Sequence, residues 1–350
     1  MAKKKETPKQ IEELGEFGLI NRLAENVKIS HKSTIKGIGD DAAVLKNGSK
    51  LTVITTDLLL EGIHFNLMYM PLKHLGYKAV IVNLSDVYAM NAKPEQITVS
   101  IGISSRFSME DVEEIYDGIK LACELYNVDL VGGDTSSSMT GLTLSITAIG
   151  TVSEKEVVYR SGAKENDLIC VSGNLGAAFI GLQVLEREKE IFNTSSGAQP
   201  DLEGYEYVLE RQLKPEARKD IIDFFAKEKI QPTAMIDISD GLSSDLMHIC
   251  DASNKGCKIF SDKIPVDADT GTAAEEMNLE PITCALHGGE DYELLFTVPI
   301  SYFDKLKDLQ AISIIGHITA HNEGRYLILP DGSAVEIAAK GWDGLKQHGE

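Results

Sequence analysis

The chain has few cysteines, no long apolar stretch and a shortage of basic residues. Its five cysteines are scattered over 350 residues without a CxxC pair, which argues against a disulfide framework or a cysteine-based zinc site. No run of about 18 apolar residues occurs, so the sequence predicts no transmembrane helix. Because 34 Lys and Arg residues face 54 Asp and Glu residues, the net charge of −20 disfavours binding to nucleic acid or to an anionic membrane.

Motifs for several common reactions are missing too. The sequence contains no GxxxxGK[ST] phosphate loop and no HRD and DFG pair of the protein kinases. No GxSxG elbow or Cys–His pair suggests a covalent nucleophile. Phosphoryl transfer by so acidic a chain would therefore have to rest on metal ions.

What is present is typical of a globular protein, with 43% hydrophobic and 25% charged residues. At 350 residues the chain is long for one core, so we expect two domains, at 11–152 and 153–350. Residues 1–10 are expected to form a disordered, solvated tail. The unpaired cysteines fit a reducing cytoplasm.

Adjacent carboxylates stand near the start of the first domain. The stretch GIGDDAAVL, residues 37–45, places Asp40 beside Asp41. Two charges about 4 Å apart repel by roughly 4 kcal/mol at an effective dielectric constant of about 20, so such a pair is usually solvated, hydrogen-bonded or neutralised by a cation. Further acidic segments follow predicted strands: ITTDLLLEG, NLSDVYAM, LVGGDTSSS, MIDISDGLSSD and HGGEDYEL. Their convergence would make an oxygen-rich site suited to magnesium.

Two segments of the first half carry polar residues next to apolar runs. A strand at 51–56 is expected to deliver Thr55, Thr56 and Asp57 into a loop that reaches His64, although a plain turn would also explain these residues. A helix at 72–92 is apolar almost all round and should be buried. A buried Asp86 without a partner would cost several kcal/mol, so metal contact explains it better than a structural hydrogen bond.

The remainder of the first half alternates strands and a helix. A helix is predicted at 109–126, and a short strand at 128–131 runs into Gly132, Gly133 and Asp134. Glycines there would let backbone N–H groups approach a phosphate, but glycine pairs are also common in turns. Because the strands alternate in polarity, we expect a mixed sheet with one open face.

The second half repeats the pattern of strand and acidic turn. Arg160 is a candidate phosphate contact, with a surface ion pair as the alternative. Residues 186–206 are charged and polar and predict an irregular, mobile excursion. In SDGLSSDL, Asp240 could cap the following helix. Capping requires only one of Asp237, Ser239 and Asp240, which favours a binding role for the others.

These motifs, taken in order, closely resemble the thiamine-monophosphate kinase family, within the superfamily of aminoimidazole ribonucleotide synthetase-like ATP enzymes. The resemblance covers roughly residues 14–345 and rests on GIGDDAAVL, TTDLLLEGIHF, KAVIVNLSDVYAMNAKP, LVGGDTSSS, YRSGAK, IDISDGLSSDL and GGEDYELLF. It implies a two-domain α+β or α/β fold. The N-terminal mixed sheet, with helices on one face, would bind metal and ATP and form a homodimer, and the C-terminal α/β domain would cover the active site.

The resemblance also implies an activity and a set of residues. The activity is the transfer of the γ-phosphoryl group of ATP to thiamine monophosphate, with several magnesium ions as cofactors. The implied magnesium positions are Asp41, Thr55, Thr56, Asp57, Asp86, Asp134, Asp237 and Asp240. The implied nucleotide positions are Tyr116, Gly133, Asp134, Arg160 and Ser239, and the implied substrate positions are His64, Glu290 and Trp342. Whether Asp40 also ligates metal stays open. No residue is assigned as a general base, because an acceptor phosphate is already ionised at neutral pH.

Two alternatives remain open. One is another ATP-dependent enzyme of the superfamily, although a selenophosphate synthetase should carry a reactive Cys near its N-terminus and the first Cys here is Cys123. A hydrogenase-maturation member should end in a cysteine, whereas this sequence ends LKQHGE. The other alternative is a non-enzymatic protein that binds magnesium and nucleotide without forming ADP.

Overall fold

The computed structural model describes residues 15–25, 27–195 and 199–338. The strands in these ranges form two sheets. The predicted tail at 1–10 and the predicted substrate residue Trp342 lie outside the described residues. No helix within the described ranges is both long enough and apolar enough to cross a membrane.

The first sheet is mixed, as predicted. Its six strands are β1 (Thr34–Lys36), β2 (Ala43–Asn47), β3 (Lys50–Leu60), β4 (Lys93–Ile103), β5 (Asp129–Ser137) and β6 (Thr143–Val152). They lie in the order β1-β2-β3-β6-β4-β5. β4 and β5 are parallel, whereas every other neighbouring pair is antiparallel.

Helices cover one face of this sheet. The helices of the first half are α1 (Gly15–Ala24), α2 (Leu72–Ala89) and α3 (Met109–Tyr126). The core on this face joins residues such as Val80 of α2 and Ile119 of α3 with Ile146 of β6. α3 has the predicted bounds because Ser108 and Asp111 form a capping box at its start and left-handed Asn127 ends it.

The second sheet is also mixed. Its seven strands are β7 (Leu168–Ser172), β8 (Ala234–Asp237), β9 (Gly256–Phe260), β10 (Leu294–Val298), β11 (Ile312–Thr319), β12 (Arg325–Ile328) and β13 (Ala334–Glu336). They lie in the order β13-β12-β9-β11-β7-β10-β8, and β9 and β12 form its parallel pair. The helices of this half are α4 (Ala177–Thr194), α5 (Glu206–Leu213), α6 (Lys219–Glu228), α7 (Leu242–Ser253), α8 (Ala268–Glu276), α9 (Pro281–His287) and α10 (Phe303–Leu306).

Two strands of the first sheet are longer than the sequence predicts. β3 continues to Leu60, so Thr55, Thr56 and Asp57 lie within the strand and not in a loop. β5 continues to Ser137 and includes Gly133 and Asp134. Both strands stay extended because neighbouring strands pair with them along these polar segments, which a local reading of the sequence does not detect.

Three further predictions about elements need correction. The excursion expected at 186–206 is helical as far as Thr194, since α4 continues through it and buries Glu188. The N-cap of α7 is Gly241, so Asp240 does not cap this helix. α2 ends at Ala89, before the predicted residue 92.

Candidate active site

Helix α2 brings together the acidic ends of several elements. Its Asn83 Oδ1 accepts a hydrogen bond from the backbone N–H of Asp57 at 3.1 Å. The hydroxyl of Ser85 donates to Asp237 Oδ2 at 2.7 Å, so α2 also holds the end of β8. The hydroxyl of Thr55 on β3 donates to Asp86 Oδ2 at 2.5 Å. As predicted, α2 is buried almost all round, which fixes these side chains between the two sheets.

Three of the predicted magnesium residues meet at this point. Asp41, Asp86 and Asp237 each offer a carboxylate oxygen, and these oxygens lie within 4.8 Å of one another. Burial raises the pKa of Asp41 to about 7 and that of Asp237 to about 6. Burial also raises the pKa of Asp86 well above its usual value, and the charge of Asp57 adds to the effect. We call Asp41, Asp86 and Asp237 the carboxylate cluster.

Arg160 balances only part of this negative charge. Its Nη2 donates to Asp41 Oδ1 at 2.7 Å, and its backbone N–H donates to Asp40 Oδ1 at 3.0 Å. Asp41 is fully buried at its side chain, and its Oδ2 has no hydrogen-bond partner among the described residues. One guanidinium cannot balance three carboxylates, and the donor set consists of oxygens. The cluster therefore fits the magnesium that the family resemblance implies.

Asp40 has other partners. Lys36 Nζ lies 3.3 Å from Asp40 Oδ2, and the backbone N–H of Asp41 donates to Asp40 Oδ1 at 3.3 Å. Together with the N–H of Arg160, these contacts give Oδ1 of Asp40 two hydrogen bonds and leave Oδ2 with the ion pair to Lys36 and no hydrogen bond among the described residues. The structure thus gives the two adjacent carboxylates different environments.

A second acidic group lies at the start of α7. Oxygens of Asp240 and Asp245 and a ring nitrogen of His248 lie within 4.8 Å of one another. Burial raises the pKa of Asp245 well above its usual value, and the charges of Asp240 and Asp237 raise it further. The sequence analysis did not select Asp245. The available signal was its place in the segment SDGLSSDL, three residues before His248 on one helix face.

Helix α1 lies beside the second acidic group and near Asp57. The Phe17 ring is 4.1 Å from the ring of His248, measured between centroids. Burial raises the pKa of Asp57 to about 6, and the charge of Glu16 contributes to that rise. The helix before the first strand is therefore part of the surroundings of the site.

Two predicted magnesium residues lie on the opposite, open face of the first sheet. Thr56 alternates with Thr55 and Asp57, and its hydroxyl donates to the carbonyl of Ile146 at 3.1 Å. Asp134 on β5 is in register with Ser100 on β4. Ser100 is in turn opposite Ser145 on β6, and Ser145 is opposite Leu58 on β3, so three strand spacings separate Asp134 from Leu58. At about 4.8 Å per spacing, Asp134 lies about 14 Å from Leu58. Asp134 and the carboxylate cluster therefore lie on opposite sides of the first sheet.

The predicted nucleotide residues fall in separate places. Tyr116 packs against the core of the first half, and Arg160 is at the carboxylate cluster. Gly133 has a structural reason of its own, since a Cβ atom there would lie 1.8 Å from the Val99 carbonyl oxygen. The carbonyl of Ser239 accepts the N–H of Glu290 at 2.8 Å, which ties a predicted nucleotide residue to a predicted substrate residue.

The predicted substrate residues His64 and Glu290 interact electrostatically. Burial lowers the pKa of His64, while the charge of Glu290 opposes this and that of Lys78 reinforces it. Nδ1 of His64 accepts the backbone N–H of Leu60 at 3.0 Å, so the neutral ring carries its proton on Nε2. Lys78 Nζ lies 3.1 Å from Glu290 Oε1. The sequence analysis did not select Lys78, although a lysine within a helix predicted to be buried was a usable signal.

Comparisons with known proteins identify the family. Residues 39–152 match the model of "AIR synthase related protein, N-terminal domain". The chain is 36% identical to thiamine-monophosphate kinase of Aquifex aeolicus, an alignment covering 95% of this chain and 99% of that protein. It is 31% identical to thiamine-monophosphate kinase of Bacillus subtilis, over 95% and 100% of the two chains.

A solved structure extends the likeness to three dimensions. The structure of AaThiL complexed with AMPPCP and TMP superposes with a TM-score of 0.81 at 33% identity, covering 97% of this chain and 99% of that chain. The expected fold is confirmed by this match, with its two mixed sheets and their helices. The chain belongs to the thiamine-monophosphate kinase family.

Proposed function

We propose that this protein transfers the γ-phosphoryl group of ATP directly to the phosphate of thiamine monophosphate, giving thiamine diphosphate and ADP. The observation that carries the proposal is the buried carboxylate cluster, whose charge Arg160 balances only in part. Full-length similarity to thiamine-monophosphate kinases supports the choice of substrates.

Magnesium would be held by oxygen-bearing residues of the two acidic groups, of β3 and of β5. The proposed ligands are Asp41, Thr55, Thr56, Asp57, Asp86, Asp134, Asp237 and Asp240. Bound magnesium would neutralise phosphate oxygens and stabilise the charge that develops on the transferring group. Since Asp134 lies on the open face, more than one ion is needed to use all of these residues.

The protein's own side chains would bind and orient the two substrates. Tyr116, Gly133, Asp134, Arg160 and Ser239 are the proposed nucleotide residues. Arg160 is fixed by Asp41, so it is held in place before the nucleotide arrives. Attack by the substrate phosphate oxygen would be in line and would need no general base, because that oxygen is already ionised.

Thiamine monophosphate would bind next to Glu290. The side chain of Glu290 is 31% exposed, so its carboxylate can reach a ligand, and its charge acts on His64. We propose His64 and Glu290 as substrate residues, and Trp342 as an aromatic ring that stacks on thiamine.

We further propose two domains, a homodimer and a cytoplasmic location. Residues 11–152 would bind metal and ATP and dimerise, and residues 153–350 would cover the site. Apolar side chains on the first sheet support dimerisation, because Leu58 is 50% exposed and Val131 is 58% exposed. A second copy packed on this open face would bury them.

One coupled assay tests the proposed function. ADP release is measured with thiamine monophosphate, with thiamine and with other phosphorylated acceptors. We expect release with thiamine monophosphate only, and we expect Asp57→Ala to abolish it without unfolding the protein. Binding of magnesium ATP without ADP release would favour the non-enzymatic alternative. ADP release with a different acceptor would favour another enzyme of the superfamily.

A further inference from the structure

Lys78 is a charged residue in an otherwise apolar part of α2. Its side chain is 2% exposed, which is rare for lysine because removing an ammonium group from water is costly without a partner. Nζ donates to the carbonyl of Gln212 on α5 at 3.0 Å and lies 3.1 Å from Glu290 Oε1. A residue of the first half thus reaches two residues of the second.

Glu290 is held at both of its carboxylate oxygens. Oε1 pairs with Lys78, and Oε2 accepts a hydrogen bond from Gln212 Nε2 at 2.9 Å. Lys78 Nζ also donates to the backbone carbonyl of Gln212, so Lys78 and Gln212 contact each other as well as Glu290. The Glu290 carboxylate therefore cannot turn without breaking a buried charged contact.

The backbone around Glu290 is also in an unusual conformation. Glu290 has a φ of 58° and Tyr292 a φ of 51°, in the left-handed region that non-glycine residues seldom adopt. The N–H of Glu290 donates to Ser239 and that of Tyr292 to Ile238, which keeps the strained segment beside Asp237 and Asp240. Such strain persists only where surrounding contacts over-determine the conformation.

We propose that Lys78 is a positioning residue that fixes the carboxylate of Glu290 for thiamine monophosphate, together with Gln212. Lys78 acts through Glu290 and does not itself contact the substrate. This inference rests on the proposed function, because it takes Glu290 as a substrate residue.

A double-mutant cycle tests the inference. KM for thiamine monophosphate, KM for ATP and kcat are measured for Lys78→Met, Glu290→Gln and the double variant. We expect Lys78→Met to raise KM for thiamine monophosphate about tenfold and to change kcat and KM for ATP by less than about threefold. The double variant should be no worse than Glu290→Gln alone, because Lys78 then has no carboxylate left to position. Independent, multiplying effects would overturn the inference.

Tyr77→Phe is the matched control. Tyr77 neighbours Lys78 on α2, is equally buried, and its hydroxyl donates to Glu216 at 2.8 Å across the same contact between the two halves. We expect its kinetic constants to equal those of the wild type. A rise in KM like that of Lys78→Met would mean that any loosening of this contact has the same effect, and the positioning role would be refuted.

Two further outcomes are distinguishable. If Lys78→Met does not fold, Gln212→Leu takes its place in the cycle, with an expected rise in KM of about threefold and the same non-additivity with Glu290→Gln. If the wild type is active but Glu290→Gln has a normal KM, the kinase function stands and the inference fails. If the wild type releases no ADP with thiamine monophosphate, both fail.

Discussion

Two groups of buried carboxylates in this protein are neutralised to different extents. In the second half, Glu293 is 2% exposed, and its oxygens accept hydrogen bonds from Arg211 at 2.9 Å, from Arg218, and from Ser172 at 2.5 Å. In the carboxylate cluster, Asp41, Asp86 and Asp237 are also buried or nearly so, but the one guanidinium that the described residues place there, that of Arg160, pairs with Asp41.

The difference separates a structural network from a binding site. Glu293 has all the positive charge it needs within the chain, so its ion pairs serve the fold. The carboxylate cluster repels itself, and its raised pKa values express that repulsion together with burial. Burying carboxylates in this way destabilises the protein unless an added cation binds, so the unbalanced group is the one expected to act on a ligand.

Removing one charge from the carboxylate cluster should have the largest effect. We expect Asp86→Asn to lower turnover about a thousandfold, since a ligand oxygen of the transferring site is lost. The same change should raise the thermal midpoint of the protein in chelator, because it relieves repulsion. Turnover with thiamine monophosphate and thermal unfolding in EDTA measure the two effects.

Asp117→Asn is the control, because Asp117 is exposed and pairs with Lys120 on the surface. It should change neither turnover nor the midpoint. An Asp86→Asn variant that is active, or that is less stable in chelator than the wild type, would contradict the contrast between the two groups.

Removing the charge of Glu293 should instead destabilise the protein. Glu293→Gln keeps the volume but removes the carboxylate that pairs with Arg211 and with Arg218, although Arg218 keeps its pair with Asp220, and such a loss costs about 3 kcal/mol of unfolding free energy. Urea unfolding measures the loss.

Lys46→Met breaks the exposed pair with Glu154 and should have no measurable effect. Equal effects of the two variants would show that the burial of the Glu293 network does not matter.

Magnesium should stabilise the wild type by slightly less than Glu293→Gln destabilises it. At about 100 times its Kd, a ligand that binds only the folded state adds about 2.7 kcal/mol, and thermal unfolding with and without magnesium measures the gain. Asp86→Asn should show much less of it. Absence of any gain in the wild type would remove the magnesium assignment.

The pH dependence of the unfolding free energy in chelator tests the same comparison. Asp41, at a folded pKa of about 7, and Asp57 and Asp237, at about 6, all lie above the usual value of 3.8. Between about pH 4 and pH 7 the folded state binds more protons than the unfolded state, so stability falls as the pH rises. Magnesium should therefore stabilise more at pH 7 than at pH 5.

Local patterns predicted helix α3 well, and the end of α4 and the polar strand ends poorly. α3 follows from its apolar spacing and the capping pair Ser108 and Asp111, which are close in sequence. The ends of β3 and β5 were misjudged because Thr55 and Gly133 lie in polar or glycine-rich segments that only pairing with neighbouring strands keeps extended. Lys78 was missed because its partner Glu290 is more than two hundred residues away.

The sequence alone determined which chemistry is available, through its acidic motifs, and which family they resemble. Only the tertiary structure decided how those motifs divide. Asp41, Asp86 and Asp237 meet around α2, whereas Asp134 lies on the open face of the first sheet. The physical reason is that side chains on a strand alternate between the two faces of a sheet. The face on which a motif residue lies, and what surrounds it there, therefore cannot be assigned until the strand pairing is known.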